Sequence, residues 1–232
     1  MAGKSTTETA DGPSGAGLQL VIEVRDGSAA LQQLALLLAS RDVPVVQLIA
    51  APGGMLSAQP VLPYVKLAQE HDAAVLLTDA PELARTVRAD GVHLTWSTDI
   101  EARAGIAREI VGTRFIVGAE AGNSRHTAMT LGEMGLDYVG FGLTTQGGGS
   151  AMSATDRLEL VAWWAEIFSV PVVACDASNL DEAADLTDAG ADFVALRLPS
   201  GLSAADLAQW RTDARHALDP GTSLDPMEET AP

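Results

Sequence analysis

The pattern of hydrophobic and polar positions divides the chain into two kinds of segment that alternate. Short, continuous apolar runs, typical of strands buried on both faces, are each followed by a longer stretch with apolar residues at helical spacing. The pattern predicts eight such pairs, with strands over residues 18–24, 43–50, 74–77, 91–94, 115–119, 138–141, 170–174 and 193–196. This regular alternation indicates an α/β protein with a parallel sheet.

An aspartate opens every second predicted strand. These residues are Asp42, Asp90, Asp137 and Asp192, and subtracting successive positions gives spacings of 48, 47 and 55 residues. One strand–helix unit of a (β/α)8 barrel takes about 25 to 30 residues, so the repeat is two units long and four repeats make eight. The chain is therefore predicted to form one TIM barrel over residues 17–218, with the four aspartates at its amino-terminal face.

The two ends of the chain differ from this pattern. Residues 1–16 are mostly Ser, Thr, Gly and Ala, and residues 219–232 form an acidic, proline-containing tail. Segments with so little to bury are expected to be disordered. The 232 residues then leave room for a single barrel domain, with no second domain and no internal linker.

Charge and composition exclude several classes of function. A net charge of −17 argues against nucleic acid or an acidic membrane surface as a partner. The two lysines, Lys4 in the tail and Lys66 in a predicted helix, make a Schiff-base aldolase a poor interpretation. The single cysteine, Cys175, excludes an internal disulfide. With no signal-peptide pattern and no apolar run long enough to span a membrane, these features predict a cytoplasmic protein.

A glycine-rich loop follows the sixth predicted strand. The run Tyr138–Phe141 leads into a polar segment that contains Gly147, Gly148 and Gly149. Bare backbone at the carboxyl end of a parallel strand can approach an anion closely, which favours a ligand-binding loop. A flexible surface loop with no ligand is the alternative, and residues 144–152 are expected to be mobile without ligand.

Candidate functional residues are those at the carboxyl ends of the strands, where TIM barrels build their active sites. Asp79 and Asp99 would suit Mg²⁺, which takes a few carboxylates plus water and substrate phosphate. The alternative, which is favoured for either aspartate taken alone, is that each caps the helix that follows it. The complete set of candidates at the strand ends is Gln47, Asp79, His93, Thr95, Glu120, Thr144, Thr145, Cys175, Asp176 and Arg197.

The sequence around three of these candidates indicates a different role for each. His93 lies within an apolar run and is interpreted as a core histidine with one satisfied nitrogen rather than as a catalytic residue. Cys175 has no adjacent base in the sequence and is interpreted as a buried, inert thiol. Arg197, at the end of the eighth strand, suits bidentate contact with a phosphate, for which strands 7 and 8 of such barrels commonly supply the site.

Five stretches together resemble the thiamine phosphate synthase/TenI family. They are ADGVHL at 89–94, IVG at 116–118, GLDYVGFG at 135–142, PVVA at 171–174 and GADFVAL at 190–196. They stand in the family's order and spacing, and the resemblance covers roughly residues 18–218. It implies a TIM barrel that joins hydroxymethylpyrimidine pyrophosphate to thiazole phosphate with Mg²⁺ and releases pyrophosphate. TenI relatives instead aromatise the thiazole phosphate.

The chain retains only some of the family's site residues. Gln47 matches the pyrimidine-binding glutamine, Asp79 matches one metal ligand, and Asp99 lies one position later than the family's second aspartate. Most residues that hold phosphate and pyrophosphate are replaced. The replacements are Ile49 and Ala51 for Arg and Lys, Glu120 for Ser, Gly147 to Ser150 for Thr-x-Thr-Lys, Asp176 and Ala177 for Gly-Gly, and Leu198 for Ser.

Three functions remain open at this point. The residues favour a family barrel that has lost most synthase chemistry and binds a small phosphorylated or heterocyclic ligand, because three cationic contacts are lost and two acids are gained. A divergent but active synthase is the second hypothesis, with Arg197 and the glycine amides offsetting part of the loss. A different small-molecule enzyme on the same barrel is the third. A homo-oligomer is compatible with each of them.

Overall fold

A computed structural model describes residues 15–25, 29–142 and 152–219, and strands and helices alternate through all three segments. The strands are β1 (Gly17–Glu23), β2 (Val45–Ile49), β3 (Ala74–Thr78), β4 (Gly91–Leu94), β5 (Ile116–Glu120), β6 (Tyr138–Phe141), β7 (Val172–Ala177) and β8 (Phe193–Arg197). The helices are α1 (Ala29–Leu38), α2 (Ala58–Gln69), α3 (Pro81–Val87), α4 (Ile100–Val111), α5 (Arg125–Glu133), α6 (Ala154–Ile167), α7 (Leu180–Asp188) and α8 (Ala204–Ala217).

The eight strands form a closed parallel barrel in sequence order. Each strand pairs with the next, and β1 pairs with β8 to close the sheet. This confirms the predicted (β/α)8 architecture, and β4 and β6 occupy the predicted residues. β7 continues past the predicted end at residue 174 and reaches Ala177, with an irregular register between Ala174 and Ala177. The apolar run stops at Cys175, so hydrophobicity alone ends this strand too early.

Successive side chains along each strand point alternately out of and into the barrel, so the core has two layers. Outward-facing residues such as Leu20, Val92 and Val139 are fully buried against the ring of helices. Inside the barrel, a smaller group of side chains fills the space between opposite strands, as expected for a packed barrel interior. That inner group consists of Val21, Leu76, Tyr138, Val173, Cys175 and Ala195. The inner layer forms the floor beneath the mouth of the barrel.

The aspartates that open the even-numbered strands lie at the amino-terminal face, as predicted. The carboxylates of Asp90, Asp137 and Asp192 each accept a hydrogen bond of 2.8 Å from an amide near the start of the preceding odd-numbered strand. Asp42 differs, because its carboxylate meets the exposed Arg215 at 3.7 Å. The repeat in the sequence thus marks positions where one side chain joins two neighbouring strands.

Aromatic residues at the carboxyl end of α6 pack between the helix and the barrel. Trp164 is fully buried, donates its indole N–H to the Val170 carbonyl at 2.7 Å and stacks on Phe168. At the start of α5, Ser124 caps the helix by accepting a hydrogen bond from the Thr127 amide. In both places a local sequence signal corresponds to a specific contact.

No helix within the described residues is long and apolar enough to cross a membrane. The predicted disorder of residues 1–16 and 219–232 concerns segments that lie almost entirely outside the described part of the chain. Gly15, Ala16 and Asp219 are described, and Ala16 packs against the core. The disorder of the tails stays a prediction.

Candidate functional site

The carboxyl ends of the strands enclose a cavity of about 150 Å³, which we call the axial cavity. Seven of the eight strands contribute side chains to its wall. β6 contributes none, because its inward positions are occupied by Tyr138 below the cavity and Gly140 beside it. The cavity stands where TIM barrels carry their active sites.

One side of the cavity is a chain of amide hydrogen bonds. Gln19 Nε2 donates to Gln47 Oε1 at 2.7 Å, and Gln47 Nε2 donates to Thr78 Oγ1 at 2.9 Å. Both glutamines are buried, so each amide depends on these partners rather than on solvent. The structure thus brings Gln47 into the cavity, as predicted, and fixes the orientation of its amide.

The opposite side is a buried chain of phenol, imidazole and carboxylate. His93 Nδ1 lies 2.7 Å from the Tyr138 hydroxyl, and His93 Nε2 lies 3.1 Å from Glu120 Oε1. The Trp96 amide donates to Glu120 Oε2 at 3.4 Å. Because a carboxylate only accepts, Nε2 carries the proton, and in a neutral ring Nδ1 accepts from the Tyr138 hydroxyl.

These contacts correct the expectation for His93. It is 1% exposed, as a core residue would be, but both of its ring nitrogens are engaged and it lines the cavity. His93 therefore belongs to the candidate site rather than to the core alone.

Tyr138 connects the two sides. Burial, together with the neighbouring Cys175 and Glu120, raises the pKa of the phenol well above its ordinary value of 10.0, and a hydrogen bond with Gln19 acts in the opposite direction. The hydroxyl therefore keeps its proton at neutral pH. A continuous polar network thus crosses the barrel from Thr78 to Glu120 beneath the mouth.

Three glycines make room for this network. A Cβ at Gly118 would lie 1.9 Å from the Tyr138 ring, so only glycine admits the phenol there. A Cβ at Gly140 would lie 3.1 Å from the Cys175 sulfur, and one at Gly142 would lie 3.4 Å from Glu120 Oε2. Because Gly140 and Gly142 have no side chains, Glu120 of β5 and Cys175 of β7 fill the space beside β6.

Cys175 is buried, as predicted, but it does have a base beside it. Its sulfur lies within 4.8 Å of both a ring nitrogen of His93 and a carboxylate oxygen of Glu120. Burial, and then the charges of Glu120 and Asp176, raise the pKa of the thiol well above its ordinary value of 9.0. The thiol is therefore protonated and a poor nucleophile, in agreement with the expected inertness.

Asp79 does not cap α3, contrary to the alternative interpretation, because the cap position belongs to Ala80. Its Oδ1 accepts from the Thr95 amide and from Arg103, and its Oδ2 accepts from the Thr95 hydroxyl at 2.6 Å. Both oxygens are thus taken by protein donors, one of them a cation. A magnesium ion bound here would compete with these donors, and the role of Asp79 as a magnesium ligand stays a prediction.

Asp99 occupies the cap position of α4, but its side chain makes no capping hydrogen bond. A hydrogen bond with Ser97 lowers the pKa of this exposed carboxyl below its ordinary value. Neither Asp99 nor Asp79 lines the axial cavity, which places the predicted magnesium ligands outside it.

Arg197 extends from the end of β8 to the rim of the cavity, as predicted. Within the described residues no carboxylate lies within ion-pair distance of it, and it is the one cation that lines the cavity. Asp176 lies on the same rim in a left-handed backbone conformation, with φ of 57°. The rim therefore carries one positive and one negative side chain.

Part of the predicted site falls outside the described residues. This part comprises Thr144, Thr145, Gly147, Gly148 and Gly149, and the expected mobility of the loop concerns almost the same stretch. The sequence prediction missed Gln19 and Tyr138, because each lies in a strand that is recognised through its apolar residues. A polar residue at an inward-facing strand position is the signal that would have found both.

A parallel (β/α)8 barrel with a polar cavity at the carboxyl ends of its strands belongs to the class of TIM barrels with a candidate site at this face. Within this class, residues 19–198 match the family described as thiamine monophosphate synthase, TMP-TENI. The chain belongs to this family, which confirms the resemblance seen in the sequence.

Individual relatives agree with this assignment. The chain is 38% identical to a thiamine-phosphate synthase of Hyphomonas neptunium, over 75% of this chain and 80% of the relative. It is 39% identical to a thiamine-phosphate synthase of Rhodospirillum centenum, over 74% of this chain and 82% of the relative. The fold resembles that of thiamine phosphate pyrophosphorylase from Pyrococcus furiosus, with a TM-score of 0.66 and 24% identity over 87% of this chain and 94% of that one.

Proposed function

We propose that the axial cavity binds the pyrimidine half of the family's substrates, as a neutral aminopyrimidine, and that synthase turnover is weak or absent. The observation that carries this proposal is the composition of the cavity wall. It offers an oriented amide in Gln47, which suits the acceptor nitrogens of an aminopyrimidine. It also offers a buried carboxylate in Glu120, which suits the amino donor of the same ring. Arg197 is its single cation among the described residues.

Charge at the mouth supports weak turnover. The family reaction expels pyrophosphate, and donors aimed at the developing anion are each worth about 10²–10³ in rate. Ile49 lines the cavity where the family carries arginine, and Glu120 and Asp176 contribute negative charge to it. An anionic leaving group would therefore meet two carboxylates and one guanidinium.

A divergent but active synthase is the second candidate. Two observations favour it: the relatives at 38% and 39% identity are named thiamine-phosphate synthases, and the Arg197 guanidinium forms no ion pair within the described residues. In this case Arg197 would supply the charge that the lost residues no longer provide, by bidentate contact with a phosphate.

Calorimetry with three ligands separates these candidates. Purified protein would be titrated with hydroxymethylpyrimidine, its pyrophosphate ester and thiazole phosphate, each with and without Mg²⁺. Our proposal expects the neutral pyrimidine to bind and the pyrophosphate to add no affinity. The Gln47→Met variant should lose pyrimidine binding, whereas Gln209→Met, at an exposed site on α8, should keep it. Tighter binding of the pyrophosphate ester than of the neutral ring would contradict the proposal.

Complementation then tests turnover directly. We expect the gene to fail to rescue a synthase-deficient strain at ordinary expression levels. Rescue by the wild type that is abolished in Arg197→Ala would establish the second candidate instead. The magnesium dependence, the cytoplasmic location and the oligomeric state expected from the sequence remain predictions.

A further inference from the structure

A carboxylate, an imidazole and a thiol converge in the wall of the axial cavity. The candidate ligand atoms of His93, Glu120 and Cys175 all lie within 4.8 Å of one another, and the three side chains are buried. The residues come from β4, β5 and β7, so rigid strands of the barrel hold them together. The proposed pyrimidine binding uses Glu120 but requires neither His93 nor Cys175, and the release of pyrophosphate requires none of the three.

The same cluster contains a negative charge with no strong counter-charge. Glu120 is 7% exposed, and its partners are His93 and the Trp96 amide. Within the described residues no Lys or Arg lies within ion-pair distance of it. A Cβ at Gly142 would lie 3.0 Å from Asp176 Oδ2 and 3.4 Å from Glu120 Oε2, so a second carboxylate faces the same space. Buried negative charge of this kind is costly unless a cation compensates it.

We propose that His93, Glu120 and Cys175 bind a thiophilic divalent metal ion, and that Zn²⁺ is the ion that this site fits. Zn²⁺ takes Cys sulfur, His nitrogen and carboxylate oxygen, whereas Mg²⁺ and Ca²⁺ prefer oxygen alone. Three protein ligands beside an open cavity leave the fourth position to water or a ligand atom, as in catalytic zinc sites. The site is separate from the aspartates considered for magnesium.

The geometry requires only small adjustments. In a tetrahedral zinc site with ordinary bond lengths, ligand atoms lie roughly 3.3–3.7 Å apart. His93 Nε2 and Glu120 Oε1 are now 3.1 Å apart, and the sulfur lies within 4.8 Å of a ring nitrogen of His93 and of a carboxylate oxygen of Glu120. Gly140 leaves open the space beside the sulfur, where a Cβ would come within 3.1 Å of it. Shifts of about 1 Å, which side-chain rotation within a rotamer well supplies, would complete the triangle of ligands.

Contacts behind the ligands support the same assignment. Metal-binding histidines characteristically hydrogen-bond through the other ring nitrogen, which fixes their orientation. His93 Nδ1 has such a partner in the Tyr138 hydroxyl at 2.7 Å, and Glu120 Oε2 is held by the Trp96 amide. Tyr138 is therefore a positioning residue in this proposal, since it would act on the metal only through His93.

Binding would release one proton. In the metal-free protein the sulfur carries a proton, and the proton of His93 is on Nε2. On binding, the thiol proton leaves to solvent and a sulfur–metal bond forms. The imidazole stays neutral but exchanges its Nε2 proton for one on Nδ1, which then donates to the Tyr138 oxygen. The sum is one metal ion bound and one proton released per chain, with no change in oxidation state.

Cobalt provides the direct test, because Co²⁺ takes zinc sites and a thiolate ligand gives it a charge-transfer absorption band. Tag-free, chelator-treated protein would be titrated with Co²⁺ and then with Zn²⁺, in the absence of pyrimidine and thiazole ligands. We expect one Co²⁺ per chain, a thiolate band, and displacement by one Zn²⁺. Calorimetry in buffers of different ionisation enthalpy should show one proton released.

Variants assign the ligands. Cys175→Ser should abolish the thiolate band and weaken Zn²⁺ binding by more than about 100-fold, and Tyr138→Phe should weaken it by about 10-fold. His126→Ala, at an exposed site on α5, is the matched control and should bind as the wild type does. Circular dichroism and melting temperature would establish that each variant is folded, with Cys175→Ala as the substitute if serine is not tolerated.

Two results would overturn the proposal. One is a wild-type protein that shows no thiolate band at one equivalent of Co²⁺, which needs no variant to interpret. The other is Zn²⁺ binding that is equal in the wild type and in Cys175→Ser, which would place the ion elsewhere. Either result leaves the proposed pyrimidine binding standing, because that titration contains neither Zn²⁺ nor Co²⁺. Failure to bind pyrimidine would likewise leave the metal site intact.

Discussion

A buried ion pair beside the axial cavity should contribute strongly to stability. Arg157 of α6 has no exposed surface, and its guanidinium donates to the Cys175 carbonyl and to the carboxylate of Glu182 on α7. Glu182 also accepts from the Ser178 amide at 2.7 Å. The pair therefore joins two helices to the end of the strand that carries the cavity thiol.

The structure predicts unequal costs for the two halves of this pair. Glu182→Gln leaves a guanidinium fully buried without an anion, which costs about 3–5 kcal/mol. Arg157→Met leaves a carboxylate that is 15% exposed and keeps the Ser178 amide, so its cost is about 1–3 kcal/mol. The double variant should be more stable than the sum of the single effects implies, by at least about 1 kcal/mol.

Urea unfolding followed by circular dichroism measures these free energies in a double-mutant cycle. Glu166→Gln is the matched control, because Glu166 is an exposed carboxylate on the same helix as Arg157. It should change stability by no more than about 0.5 kcal/mol. If Glu182→Gln costs no more than this control, or if the two single effects simply add, the pair does not have the role assigned to it.

Three other measurements test the fold. Gly118→Ala should cost about 1–3 kcal/mol because its Cβ would overlap the Tyr138 ring, whereas Gly105→Ala, with its nearest neighbour at 3.7 Å, should stabilise α4 by about 0.5–1 kcal/mol. Asp192→Ala should cost about 1–3 kcal/mol, because the buried amide at the start of β7 loses its acceptor. Burial raises the pKa of Glu182, but hydrogen bonds and the nearby guanidinium outweigh it and leave the pKa below its ordinary 4.5. The difference in free energy of unfolding between wild type and Glu182→Gln should therefore have its full size above pH 4.5. It should shrink as the pH falls through the lowered pKa of Glu182.

The fold was predictable because its signals are local and repeated. Each apolar run followed by an amphipathic stretch specifies one strand–helix unit, and eight units in a chain of this length are typical of a closed barrel. The aspartate repeat also reflects a local requirement, since Asp90, Asp137 and Asp192 each satisfy a strand amide. The partner of each aspartate was not visible in the sequence, because it lies on the preceding strand.

The site was less predictable because its contacts join strands that are distant in the chain. Cys175 has no base near it in the sequence, yet the register of β4, β5 and β7 brings His93 and Glu120 to it. Tyr138 belongs to an apolar run, although its hydroxyl connects the two halves of the polar network. Hydrophobicity identifies these strands correctly but gives no information about which inward-facing residues meet.

The electrostatics of the mouth depend on whether the cluster below it holds a metal ion. Without one, Glu120 and Asp176 face the cavity against Arg197, its single cation among the described residues, and an anionic substrate is disfavoured. A divalent ion on Glu120 and Cys175 would add two positive charges while the thiol loses one proton, so the site would gain one net positive charge. Ions bound in this way are often the largest local charges in a site. The loss of the family's cationic residues therefore implies the loss of pyrophosphate binding only for the metal-free barrel.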